Sequence, residues 1–286
     1  RESCARASCY ESRMTTTVER EIEAAGGSHG IRVERRGAFV IWTIDRVERR
    51  NALARATVRE LGRLAREARD DRSLRAIIIT GAGGQAFCAG ADLKERQGMV
   101  EEEVRDFLGL YKSAFGAIDL LPIPTVAAID GVAFGGGLEL ALACDFRVAT
   151  PASQLGLTET SLAIIPGAGG TQRLVRIVGG GRAKELIVFA RRFDAKAALE
   201  MGIVNALANE GESCLDAALR FVAPLENAAP IAIAAALEAV DGATDLSLEE
   251  GLSLERRCYE RTLASKDRLE ALAAFAAKRK PTYQGV

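Results

Sequence analysis

The run Ala76-Ile77-Ile78-Ile79-Thr80 has no polar face. A strand that alternates apolar with polar residues can leave one side in water, whereas this one must be covered on both sides, as in a parallel sheet flanked by helices. Its surroundings agree. Upstream, Val58, Leu61, Leu64, Ala65 and Ala68 recur at helical spacing between Ala54 and Ala68, and before them Ile31–Glu34 and Ala38–Asp45 read as a hairpin across Arg35-Arg36-Gly37. Downstream, Val104, Phe107, Leu108, Tyr111, Phe115 and Ile118 form a second helical stripe, stopped by Pro122 and Pro124, and Val126–Ile129 supplies the next strand. The alternation continues through a helix opening in Gly135-Gly136-Gly137, a strand at Phe146–Ala149 and a turn at Pro166-Gly167-Ala168-Gly169-Gly170. Beyond about residue 170 the strand signal fades, and Ala183–Phe189, Cys214–Val222, Ile231–Val240 and Leu248–Lys278 read as helix, with Pro224–Pro230 as a hinge. The predicted class is α/β: a mixed core followed by a helical tail.

Several chemistries are disfavoured at this level. The 38 basic and 39 acidic residues leave a formal charge of −1, so an anionic partner must be held by local rather than global charge. His29 is the only histidine, which argues against Ser-His-Asp, Cys-His and histidine-rich zinc sites together. Cys4, Cys9, Cys88, Cys144, Cys214 and Cys258 form no C-x-x-C pair and read as reduced thiols of a cytoplasm-like compartment. The most apolar window, Thr125–Cys144, carries Asp130, Glu139 and a glycine cluster, which a bilayer-spanning helix tolerates poorly. Residues 1–13 precede Met14 and stand outside the fold argument. The expected organisation is a flexible leader over 1–30, a core over 31–225 and a helical region over 226–286.

Three segments carry candidate chemistry. Gly81-Ala82-Gly83-Gly84-Gln85-Ala86 follows a strand and fits a loose dinucleotide-binding pattern, but the long amphipathic helix that such a loop requires does not follow it. Gly135-Gly136-Gly137 opens a helix, whose first N–H groups are unpaired. Glycines there allow either close helix–strand packing or close approach of a ligand carbonyl. Glu139 follows in the apolar stretch Leu138–Cys144, where a carboxylate facing the core would be costly and one facing solvent would not. Glu159, in Gly156-Leu157-Thr158-Glu159-Thr160-Ser161, is either a helix-start acid or a functional one.

Three longer motifs, in order, carry a resemblance: Ala86-Phe87-Cys88-Ala89-Gly90-Ala91-Asp92-Leu93-Lys94-Glu95, then Gly135-Gly136-Gly137-Leu138-Glu139-Leu140-Ala141, then Ile165-Pro166-Gly167-Ala168-Gly169-Gly170-Thr171-Gln172-Arg173-Leu174. Together with Arg50-Asn51-Ala52-Leu53 they resemble the crotonase (enoyl-CoA hydratase/isomerase) superfamily over nearly the whole chain. Within that family the likeness is greatest to the 3-methylglutaconyl-CoA hydratases, through Phe87–Arg96, Gly136–Asp145 and Ser265-Lys266-Asp267-Arg268-Leu269-Glu270.

The resemblance implies a spiral of β-β-α units with a helical C-terminal region that builds trimers, often paired into hexamers. It implies an acyl-CoA thioester as substrate and no metal or cofactor beyond the CoA moiety. The thioester oxygen would lie between the backbone N–H groups of Ala91 and Gly136. Glu139 and Glu159, 20 residues apart, would flank the acyl chain and hold one water, with Glu139 activating it and Glu159 handling the proton at the α-carbon. Arg46, Arg50, Ala89, Asp92, Leu93 and Lys94 would lie on the CoA side, joined by Phe275 and Lys278, which in relatives come from a neighbouring subunit.

Retaining both carboxylates favours hydration over the one-carboxylate double-bond shift of an isomerase. A methylglutaconyl chain carries an extra carboxylate, which Arg96 could meet by charge-assisted hydrogen bonding. An RNA-binding relative exists in mitochondria, but its lysine-rich helix corresponds here to Arg63–Arg72, which has three acids and no lysine, so nucleic acid is not the expected partner. The expected compartment is a bacterial cytoplasm or a mitochondrial matrix.

Overall fold

In the computed structural model, which describes residues 24–286, β1 (Ala24–Ser28), β2 (Ile31–Arg36) and β3 (Phe39–Ile44) form an antiparallel meander. The β2–β3 turn is the two-residue link Gly37-Ala38, with Gly37 at φ 60, the sign that a tight hairpin demands of its first position. Helix α1 (Arg55–Ala68) then crosses to β4 (Ala76–Gly81), which runs parallel to β3. Next come β5 (Ala86–Cys88), the short α2 (Leu93–Arg96) and α3 (Glu101–Asp119), then β6 (Thr125–Ile129), β7 (Val132–Phe134) and α4 (Gly136–Leu142). They are followed by β8 (Phe146–Ala149), β9 (Gln154–Gly156), α5 (Gly170–Val188), β10 (Phe193–Asp194), α6 (Ala195–Glu200) and β11 (Ala206–Leu207).

The strands build a seven-stranded sheet, ordered β1-β2-β3-β4-β6-β8-β11, and a four-stranded sheet, ordered β10-β9-β7-β5. Each pair β4-β5, β6-β7 and β8-β9 gives its first strand to the large sheet and its second to the small one before a helix returns the chain. That repetition is the expected β-β-α spiral.

The missing polar face of Ala76–Thr80 is accounted for. Ile77 and Ile79 enter the main core with Val40, Trp42 and Ile44 of β3, among side chains from α1, α3, α4 and the small sheet. Ala76 and Ile78, with Phe39 and Ile41, face a second core closed by α7 (Cys214–Val222). Burying each isoleucine fully is worth about 1.5–3 kcal/mol, so both faces of the large sheet contribute to stability.

Three features differ from the sequence expectation. The described part of the leader belongs to the sheet, because β1 pairs with β2; residues 1–23, with Cys4, Cys9 and the stretch before Met14, lie outside the described residues. The small-sheet strands β5, β7 and β9 have three residues each, too few for an alternation to register. The run Leu248–Lys278 is two helices, α9 (Leu248–Leu263) and α10 (Lys266–Ala276), separated where Ser265 accepts the Arg268 N–H as an N-cap.

The predicted hinge turns α7 and its 3₁₀ extension by 115° into α8 (Pro230–Gly242). Among the described residues no single helix is long and apolar enough to cross a membrane. The apolar window Thr125–Cys144 is divided among β6, β7 and α4.

Candidate active site

Helix α4 is short and wholly buried, and its glycines serve different ends. A Cβ on Gly137 would run into the Cys88 carbonyl oxygen, so this glycine lets the helix press onto β5. Gly135 has φ 52 and ψ −124, and a Cβ there would sit 3.2 Å from Oε1 of Glu159. The close-packing reading of the cluster thus holds for Gly137, whereas Gly135 makes room for the Glu159 carboxyl group.

One turn into α4, Glu139 is 3% exposed. Its Oε1 accepts from the backbone N–H of Ala168 at 2.7 Å and of Gly170 at 2.8 Å. The glycine-rich turn 166–170 thereby wraps the carboxylate, and a Cβ on Gly170 would lie 3.0 Å from that same oxygen. Burial raises the Glu139 pKa, opposed by the Gly170 and Ala168 donors and by the charge of Arg173.

Glu159 opens a 3₁₀ turn, Glu159–Leu162, and is also buried. Its Oε2 has no hydrogen-bond partner. Burial first, and the neighbouring charge of Glu139 second, push its carboxyl up to about 7. Glu159 thus starts a helical turn and also faces a cavity, and the solvent-facing reading of Glu139 fails, since the two buried carboxyl groups line one cavity of about 640 Å³. Apolar side chains from α3, among them Phe107, Leu108 and Tyr111, face Leu162, Ile164 and Ile165 across it.

Ala91 and Gly136 line the same cavity. The Ala91 backbone nitrogen is 3.6 Å from where a Gly136 Cβ would stand, so the loop after β5 and the start of α4 touch there. Among the described residues neither N–H donates to a protein acceptor. Two backbone donors of adjacent segments therefore border a largely apolar cavity lined by two carboxyl groups, an arrangement able to stabilise negative charge on a carbonyl oxygen while protons move nearby.

The CoA-side candidates divide. Ala89, Leu93 and Arg96 line the cavity, and Lys94 and Arg50 are exposed. Arg46 and Asp92 are committed to each other by an ion pair of 2.9 Å, and Arg46 also donates to the Ala52 carbonyl. Asp92 further accepts from the Lys94 and Glu95 N–H groups as N-cap of α2, and these donors with Arg46 outweigh burial and hold its pKa low. Phe275 and Lys278 do not line the cavity of their own chain; Phe275 is 87% exposed.

Three participants escaped the sequence reading as individuals. Tyr111 looked like one more residue of a core stripe, yet it lines the cavity and its hydroxyl donates to the Leu53 carbonyl at 3.3 Å. Asn51, in the left-handed region at φ 56, donates to the carbonyls of Ala82 and Ala86 and accepts from the Arg46 N–H, tying its loop to the β4–β5 connection. That connection enters a strand rather than a helix, which removes the dinucleotide reading of Gly81–Ala86. Arg173, within the third motif, reaches back to the turn that holds Glu139. In the candidate RNA helix, Arg63 is paired with Glu60 and Glu67, so its charge is already met.

The enoyl-CoA hydratase/isomerase family pattern matches residues 34–286. The chain is 44% identical over 244 residues to the enoyl-CoA hydratase/isomerase YngF of Bacillus subtilis, described as putative, covering 85% of this chain and 94% of that one. It is 44% identical over 255 residues to the mitochondrial methylglutaconyl-CoA hydratase of Mus musculus, covering 88% and 81%. The crystal structure of an enoyl-CoA hydratase from Bacillus anthracis superposes with a TM-score of 0.87 at 44% identity, over 90% of this chain and all of that one. With two buried carboxyl groups and two free backbone donors around one cavity in this spiral, the chain belongs to the enoyl-CoA hydratase/isomerase family of enzymes.

Proposed function

We propose that the protein catalyses the reversible syn hydration of an α,β-unsaturated acyl-CoA, with 3-methylglutaconyl-CoA, an intermediate of leucine breakdown, as its substrate and 3-hydroxy-3-methylglutaryl-CoA as its product. The observation that carries the reading is the unlike environment of two carboxyl groups in one buried cavity. Glu139 accepts two backbone hydrogen bonds, which favour the carboxylate; Glu159 has an unpartnered oxygen beside a like charge, which favours the neutral acid. Burial raises both carboxyl groups, Glu159 to about 7, and neighbours held in such unlike surroundings are suited to opposite proton-transfer roles.

In hydration, the N–H groups of Ala91 and Gly136 donate to the thioester oxygen and stabilise the charge that develops on it as the enolate forms. Glu139 takes a proton from the water, whose oxygen bonds to the β-carbon. Glu159 delivers its proton to the α-carbon. Returning one proton from Glu139 to Glu159 resets the pair, and the net change is addition of one water. Lewis-acid and redox steps play no part in this sequence, so the CoA moiety is the only cofactor proposed.

Arg50 and Lys94 are proposed to meet the CoA phosphates at the exposed side of the cavity, where Ala89 and Leu93 border the thioester arm. Arg46 and Asp92 act by bracing that loop through their mutual ion pair. The acyl assignment rests on Arg96, a cation on the cavity wall able to pair with a second carboxylate, and on the names of the mouse and human relatives, 44% and 41% identical.

Residues 226–286 are proposed to build a homotrimer, two of which pair as a hexamer. Exposed Leu248, Leu252 and Tyr259 on α9 and Leu269, Leu272 and Phe275 on α10 supply apolar surface that such an interface would bury, with Phe275 and Lys278 reaching a neighbour's CoA site. The proposed compartment is a bacterial cytoplasm or mitochondrial matrix.

A single kinetic series tests the site and the substrate together. With 3-methylglutaconyl-CoA, crotonyl-CoA and a 3-enoyl-CoA, kcat/KM should be highest for the first. Arg96→Ala should lower that value while sparing crotonyl-CoA. Glu139→Gln and Glu159→Gln should each lower kcat by about 10²–10⁴. An Arg96→Ala enzyme that handles both hydration substrates as before would remove the acyl assignment; a Glu139→Gln enzyme of full activity would remove the site.

A further inference from the structure

Arg173 stands one turn into α5, outside the cavity, and ties together three parts of the fold. Its Nη1 donates to the Ala168 carbonyl at 3.1 Å, and its Nη2 pairs with Asp119 at the end of α3 at 2.8 Å. Its Nε is sealed from solvent with no hydrogen-bond partner. Native proteins rarely retain a buried donor in that state, so the site asks for a reason beyond packing.

The local geometry supplies one. Ala168 is the residue whose N–H donates to Glu139, so Arg173 grips from behind the same residue that Glu139 grips from the cavity. Gly169 between them has φ 105, and a Cβ there would run into the guanidinium. The turn 166–170 is therefore shaped around Arg173 on one side and the Glu139 carboxylate on the other. Because α3 walls the cavity, the Asp119 pair also fixes that wall relative to the turn.

We infer that Arg173 is a positioning residue for the reaction: it locks the turn whose backbone N–H groups aim the Glu139 carboxylate. The inference rests on the proposed role of Glu139 as the group that activates water. The titratable and charged groups that act with Glu139 are Glu159 on the 3₁₀ turn, Tyr111 on α3 and Arg173 itself, while Arg96 and Cys88 act on Tyr111. Arg173 is the cation whose field lowers the Glu139 pKa, against the burial that raises it. Removing the guanidinium therefore makes Glu139 easier to protonate, so activity should be lost at a higher pH on the acid side.

The test is the pH dependence of kcat for crotonyl-CoA hydration by the full chain and its Arg173→Gln, Arg173→Lys and Glu139→Gln variants. Arg173→Gln should lower kcat about 10- to 100-fold, part of what a well-placed base contributes, with KM changed less than about threefold. Its acid limb should move to higher pH. Arg173→Lys keeps the charge but not the two-pronged grip, so its limb should stay at the wild-type position while kcat remains below wild type.

A residue that merely stabilises the fold would lower kcat evenly across pH. An unmoved limb in Arg173→Gln, or full kcat in Arg173→Lys, overturns the inference. Should Arg173→Gln lose its circular dichroism signal, Arg173→Lys decides alone, by kcat below wild type with an unmoved limb or by full kcat. An inactive Glu139→Gln beside an unmoved Arg173→Gln limb removes only the role of Arg173, whereas an active Glu139→Gln removes the reading of the site beneath it.

Discussion

Glu159 stores energy against its own fold. Its carboxyl is raised from 4.5 to about 7 by burial and by Glu139, so between those values the folded protein holds a proton that the unfolded chain releases. The stabilisation linked to that proton is fully present below about 4.5 and is lost as pH rises through about 7. Glu159→Gln, which keeps the shape and removes the charge, should therefore raise Tm at pH 8 and raise it less at pH 5. Equal shifts at the two pH values would mean that the carboxyl is not held neutral by its surroundings. The same environment predicts a falling alkaline limb near pH 7 for hydration, since the acid must carry its proton. For Glu139 the sequence already contained the clue, a lone acid in the apolar stretch Leu138–Cys144. For Glu159 only the resemblance to the family supplied one, because a glutamate that starts a turn looks the same whether it faces water or a cavity.

Helix α4 concentrates the demands of the site in seven residues. At its far end Arg147, itself buried, donates to the carbonyls of Ala141, Cys144, Asp145 and Ile203, satisfying acceptors that a short buried helix would leave without partners. At its near end Gly137 lies against the β5 backbone. Gly137→Ala should cost about 3 kcal/mol or more, because the added Cβ is fixed to its own backbone and the atoms that it meets are the Cys88 main chain, so neither can rotate away. Urea denaturation should register the loss, and a variant within about 0.5 kcal/mol of wild type would contradict the close packing. That Gly135–Gly137 begins a helix was legible from sequence. Which glycine answers to packing and which to the cavity was not, since that depends on β5 and on the turn carrying Glu159, both remote in the chain.

Across the whole molecule the core is closed but the C-terminal helices are not. Leu269, Leu272 and Phe275 present an apolar stripe on α10 that water covers poorly. If residues 226–286 build the proposed trimer, light scattering should give three times the chain mass of 30.5 kDa or a multiple of that, and Leu272→Glu/Phe275→Glu should shift the protein toward monomer. A wild-type chain that runs as a monomer at micromolar concentration would refute the assembly. If Phe275 and Lys278 reach a neighbour's CoA site, the same double variant should also raise KM for acyl-CoA.

The order of long elements followed from the chain itself, because amphipathic stripes such as Val58–Ala68 and doubly apolar runs such as Ala76–Thr80 carry their burial in their own spacing. The small sheet escaped that logic, since strands of three residues acquire their identity only from their partners. So did the pairing of Arg46 with Asp92 and of Arg173 with Asp119, which join side chains 46 and 54 residues apart. Periodicity is a local property that sequence alone determines. Desolvation and hydrogen bonding depend on what the tertiary fold brings within a few ångströms, and for that reason only the structure showed that Glu139 accepts two backbone hydrogen bonds while Glu159 keeps an unpartnered oxygen beside it.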